Sequence, residues 1–155
     1  MSTSDPDDRW SVVTAVIDAN RFMTMATADA QGTPWASPVW FATDDHRRFL
    51  WVSSPETRHS RNIETRPEIA IVIYDSQTTP AERQAVYLEA VAHQVSADEL
   101  DDAIEIFSRR SVEHGLSAWG RDDVTEPRLF RMYEAIATQH WILGETDVRI
   151  PVPMP

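Results

Sequence analysis

The stretch from residue 49 to 75, FLWVSSPETRHSRNIETRPEIAIVIYD, admits few local structures. Residues 49–52 are a short apolar, aromatic run of the kind that packs in a sheet. Ser54 followed by Pro55 reads as a helix start, because proline in the first turn has no N–H to leave unsatisfied. Arg66-Pro67 ends that helix, since the ring of Pro67 disfavours a helical residue before it. Residues 69–74 then read as a buried strand. The helix start carries hydroxyls (Ser53, Ser54, Thr57, Ser60), guanidinium groups (Arg58, Arg61), His59 and Asn62. Arg58 and Arg61 share a helical face, where like charges repel unless an anion sits between them. Free backbone N–H groups with hydroxyls and arginines suit a phosphate. The competing reading is a solvated helix in which Glu56 and Glu64 balance the arginines.

The flanking sequence is read around this unit. Asp5-Pro6 opens a helix to about Ala19, with Trp10, Val13 and Ile17 at helical spacing and Asn20 closing it in a left-handed conformation. Residues 22–28 and 33–43 form a hairpin across a turn ending in Gly32. Pro34 and Pro38 put its second strand at an edge or a bulge. Strands follow at 48–53, at 69–74 and, after a polar link, at 85–95, where Val86, Leu88, Ala90 and Ala92 alternate with Tyr87, Glu89, Val91 and His93. Ser96 to Glu99 reads as a capping box for a helix with Leu100, Ala103, Ile104 and Phe107 on one face, closing near Gly115. Residues 116–127 are irregular, 128–143 hold one or two strands, and 1–5 and 145–155 are expected to be extended or flexible. The pattern predicts a mostly β domain over 1–155, a β-barrel of about six to seven antiparallel strands with helices at the N-terminus, after the third strand and between late strands. A ferredoxin-like α+β sandwich is the alternative.

Composition removes several chemistries. The chain has no cysteine, and its 14 basic residues are all arginine, so thiolate metal sites, cysteine nucleophiles and Schiff-base lysines are absent. A net charge of −11 argues against nucleic acid as a partner but tolerates a small phosphorylated ligand in a local arginine cluster. No signal peptide or membrane-length apolar run is read, and a soluble cytoplasmic protein is expected. The histidines at 46, 59, 93, 114 and 140 lack paired ligand spacing, so no metal site is expected. Glycine-rich nucleotide loops and serine-hydrolase signals are also missing. Of six tryptophans, Trp40 and Trp51 precede the arginine cluster on neighbouring strands, where an aromatic wall would suit a planar ring.

The hairpin, the turn at Asp44 and the run FLWVSSPETRHSRNI followed by RPEIAIVI resemble the pyridoxamine 5′-phosphate oxidase-like, FMN-binding split-barrel family. That resemblance implies a split-barrel homodimer with FMN at its interface. The flavin ring would lie along Ser37, Pro38, Val39 and Trp40, beside Trp51. Its phosphate would be held by Val52, Ser53, Ser54, Arg58 and His59, with Ser60 and Arg61 close by. Trp141, or else His140, is the candidate contributed by the partner subunit. His59 stands where the family often has lysine, which implies weaker or pH-dependent phosphate binding. The substrate residues of the true oxidases find no match here, so vitamin oxidation is not expected. An FMN-dependent oxidoreductase acting on an unassigned small molecule is the reading, with no catalytic acid or base visible. Its rivals are a deazaflavin-dependent reductase, a non-catalytic flavin- or haem-binding module, and a ligand-free structural dimer.

Overall fold

The computed structural model describes residues 5–155; the expectation for residues 1–4 lies outside them. Helix α1 (Pro6–Ala19) leads into strands β1 (Phe22–Ala28), β2 (Pro34–Trp40) and β3 (Arg48–Ser53), then helix α2 (Arg58–Thr65). Strands β4 (Glu68–Tyr74) and β5 (Ala85–Gln94), helix α3 (Leu100–Glu113) and strands β6 (Arg131–Leu143) and β7 (Arg149–Val152) complete the chain.

Seven antiparallel strands form one sheet in the order β2-β1-β4-β5-β6-β3, with β7 added beside β6. The sheet curls until its two ends meet at a single bridge, where Ala42 and Leu50 exchange hydrogen bonds of 2.9 and 2.8 Å. One bridge closes the barrel at a point and leaves β2 and β3 otherwise parted: the barrel is split. The ferredoxin-like alternative is not adopted.

Two-residue alternation decides what lies inside. Met23 and Met25 of β1, Ile69, Ile71 and Ile73 of β4, and Val86, Leu88, Ala90 and Ala92 of β5 converge in the barrel core, which α1 plugs with Val13, Val16 and Ile17. β3 is buried on both faces. Phe49 and Trp51 point into the barrel, whereas Leu50 joins a second core beneath α3 with Ala103, Ile104, Phe107 and Met132. α3 is therefore pinned across the outside of β3, next to the split.

The prolines of β2 are accommodated as expected, because β2 is an end strand. Gly32 takes the left-handed conformation its turn requires, with φ of 86°. Other expectations need correction. Asn20 does not go left-handed; its Nδ2 instead donates to the Val16 carbonyl at 2.8 Å. Ser54-Pro55 does not start α2, because residues 54–57 close a turn of their own, with Thr57 N–H on the Ser54 carbonyl at 3.2 Å. Thr57 is the cap, accepting from Ser60 N–H at 3.3 Å. The capping box at Ser96 is not formed either, since 96–99 close on themselves and α3 begins without a side-chain cap bond. Of the one or two strands expected over 128–143, the structure has one, continuous from 131 to 143. The tail is neither loose nor merely extended. Gly144, where a Cβ would stand 2.9 Å from Val148, turns the chain so that β7 pairs with β6 and buries Val152.

Candidate functional site

The split leaves a cavity of about 440 Å³ between the sheet and α3. One wall consists of Pro38, Val39 and Trp40 of β2, Val52 and Ser53 at the end of β3, and His59 in the first turn of α2. The facing wall is Phe107 and Ser111 of α3 with Leu116, Trp119 and Phe130 from the connection that follows.

The first wall is rigid because α2 is tied down. Asn62 Nδ2 donates to Thr27 Oγ1 at 3.0 Å, fixing the helix against β1. His59, the second residue of α2, is thereby buried and its Nε2 meets Ser53 Oγ at 2.9 Å. Burial lowers the His59 pKa below the ordinary imidazole value, so the ring is neutral at pH 7. Among the described residues the backbone N–H groups of Arg58 and His59 have no backbone acceptor, as expected at a helix start.

The arginines diverge. Arg58 is exposed and stacks over the Trp35 ring at 4.5 Å; among the described residues it forms no ion pair. Arg61 is paired with Glu56. They do not converge on one point, and the balanced-charge reading holds for Arg61.

Several residues expected at the site lie apart from this cavity. Trp51 is wholly inside the barrel, stacked on Tyr133 with centroids 5.8 Å apart, and forms no aromatic wall of the cavity. Alternation decides this: Trp51 falls on the barrel-facing side of β3, whereas Trp40, at the end of β2, faces the cavity. Ser37 is buried on β2 and does not line the cavity. Ser54 caps the local turn through Glu56 N–H at 3.2 Å. Ser60 faces a different hollow of about 400 Å³, beside Tyr133 and Ile63. His140 is fully enclosed in its own barrel, with Nε2 on the His46 carbonyl at 2.8 Å, and is not available to a partner subunit. Trp141, next to it on the other face of β6, is half-buried.

The facing wall is what the sequence did not reveal. In the sequence Phe107 reads only as part of the buried face of a helix, residues 116–127 as irregular structure and Phe130 as part of a strand. Edge-on ring contacts now link them, Trp40 to Phe107 at 5.1 Å and Phe107 to Trp119 at 5.5 Å. Folding also gathers His93, Glu99 and Glu134, whose ligand atoms lie within 4.8 Å of one another. Glu134 there is held by Arg48 Nε at 2.5 Å and His93 Nε2 at 2.8 Å, so its charge is met within the protein. Among the described residues no helix is long and apolar enough to cross a membrane.

The family model for pyridoxamine 5′-phosphate oxidase matches residues 11–138. A pyridoxine/pyridoxamine 5′-phosphate oxidase of Burkholderia multivorans is 31% identical over 120 residues, covering 76% of this chain and 53% of that one. The chain spans about half the length of the curated relatives it matches. Among solved structures, a heme binding protein from Mycobacterium smegmatis superimposes with a TM-score of 0.71 at 19% identity, over 90% of this chain and 55% of that one. HutZ, a heme storage protein from Vibrio cholerae, gives 0.64 at 25% identity, over 82% and 88%.

Proposed function

The chain belongs to the pyridoxamine 5′-phosphate oxidase family, and on that premise we propose that it binds FMN and acts as a flavin-dependent oxidoreductase on a small molecule. One observation carries the reading. Val39 and Trp40, Val52 and Ser53, and His59 come from three separate elements and line one cavity.

The donor set fits a phosphate-bearing flavin. Two N–H groups at the start of α2 without an acceptor among the described residues, the Ser53–His59 pair and the Arg58 guanidinium, stacked on Trp35, lie in one short stretch of chain. Arg58 and the α2 N–H groups would hold the phosphate, and His59 would donate to it while Ser53 fixes its ring. Pro38, Val39 and Trp40 would border the ring system. The bound flavin supplies the redox chemistry, taking electrons from one substrate and passing them to another. The protein's part is to orient the ring and exclude water from it. A homodimer belongs to the same reading, with Trp141 of the partner subunit as the added contact. The apolar outward side chains of Val91 and Ile136, paired across β5 and β6 and both exposed, give a second copy a surface to cover.

A haem-binding module is the second reading, favoured by the names of the two structural relatives. The deciding experiment is an absorbance spectrum of freshly purified protein, followed by titration with FMN, FAD, a deazaflavin and haemin. FMN binding that weakens by about 1.5–3 kcal/mol in Arg58→Ala, the worth of a charge-assisted hydrogen bond, supports the proposal. A Soret band without flavin affinity replaces it with the haem reading, and no ligand binding at all removes both.

A further inference from the structure

The two walls of the cavity differ in chemistry as well as in origin. On the α3 side, Phe107, Leu116, Trp119 and Phe130 present hydrocarbon and ring surfaces, and none of the cavity's lining residues is an arginine, aspartate or glutamate. Its hydroxyl groups and one nitrogen of its imidazole are already engaged. Ser111 Oγ donates to the Phe107 carbonyl at 2.9 Å, and Ser53 and His59 are bonded to each other. Arg110, Arg48, Arg121 and Arg131 are bonded elsewhere: Arg110 donates to the carbonyls of Asp18 and Asn20, Arg48 to Glu134 and Asp102, Arg121 to Asp101, and Arg131 to the carbonyls of Arg128 and Phe130. The net charge of −11 adds a field that repels anions. Leu116 and Phe130 remain 53% and 46% exposed, so apolar area stands uncovered beside the cavity.

We propose that the α3 wall is a binding site for an uncharged, planar aromatic compound, the second ligand of the flavin site, and that it excludes phosphorylated and carboxylated compounds. This rests on reading the β2–β3–α2 wall as the flavin side. An anion entering here would lose its hydration and meet no cation in return, whereas a neutral ring would exchange water for ring edges and methyl groups. The phosphate that the α2 start can hold belongs to the cofactor, and the α3 wall offers no second place for one.

The test is calorimetric titration of 2-naphthol, 2-naphthoate and pyridoxal 5′-phosphate into apo and FMN-saturated protein. 2-Naphthol should bind to both forms, with 2-naphthoate and pyridoxal 5′-phosphate at least about tenfold weaker. Leu116→Gln and Phe130→Ser, both at exposed positions, should each weaken 2-naphthol about fivefold while leaving FMN affinity unchanged. Equal binding of naphthol and naphthoate overturns the proposal, as does unchanged naphthol affinity in both variants. Competitive displacement of naphthol by FMN also overturns it, because the two walls would then serve one ligand. If FMN does not bind but naphthol still discriminates and responds to the variants, the flavin reading fails and the aromatic site stands.

Discussion

Replacing Arg48 by methionine should be among the most damaging single changes outside the barrel core. Arg48 Nε binds Glu134 Oε2 at 2.5 Å, and its Nη1 binds Asp102 at 2.6 Å, so one side chain joins β3, β6 and α3. Glu134 is only 3% exposed. Without Arg48 its carboxylate stays buried, with His93 as the remaining partner. Breaking a buried pair from one side costs about 3–5 kcal/mol, and the retained His93 contact puts this case near the lower end, about 3 kcal/mol. For a chain of this size that is a fall in Tm of roughly 6–12 °C. The pair itself need not stabilise the fold, since Arg48 Nη2 is buried without a partner among the described residues. Arg48→Met with Glu134→Leu should therefore recover most of the loss, because the uncompensated charge is gone. Urea unfolding at pH 7.5, followed by tryptophan fluorescence, measures both proteins. A single variant within 1 kcal/mol of wild type, or a double variant as unstable as the single, would refute the reasoning.

Trp51→Phe removes a buried indole N–H that has no partner among the described residues, which offsets part of the lost volume; the net change should stay below about 1.5 kcal/mol, against about 3–5 kcal/mol for Trp51→Ala. FMN affinity should be the same in Trp51→Phe and wild type, and a tenfold loss would mean the ring reaches the cofactor. His59 is held neutral by burial, so phosphate binding should draw a proton onto it and FMN affinity should rise as pH falls from 8 to 5.5, relative to His59→Gln. Superimposable pH profiles would take His59 out of the phosphate site. The His140 pKa is likewise lowered by burial, with its Nδ1 unpartnered among the described residues. Its unfolded form takes up a proton first, so its contribution is complete above about pH 6.5 and is lost as pH falls from there towards the lowered folded value. Stability plotted against pH should slope less over that window in His140→Gln, and an unchanged slope would contradict the assignment.

The strands of the barrel were readable because a half-buried strand writes its own two-residue code, as in β4 and β5. The α2 unit was readable because proline, hydroxyls and arginine occur together within a dozen residues. Local signals misled where two turn solutions compete. Both Ser54 and Thr57 can cap a helix, and the hydrogen bonds of the 54–57 turn select Thr57. Ser96 failed in the same way.

Trp40 and Trp51 mark the boundary between what the chain spells out and what folding adds. The sequence by itself determined that both tryptophans lie on strands beside the α2 turn, and with that the strand–turn–helix unit and its family, because these depend on residues close in the chain. Which tryptophan faces the cavity depends on sheet pairing, and only the tertiary structure decided it. The same is true of the α3 wall, which brings Phe107, Trp119 and Phe130 against β2 and β3 across the split. Side chains so far apart in sequence share no local pattern; they meet because β3 buries both its faces and holds α3 against the open edge of the barrel.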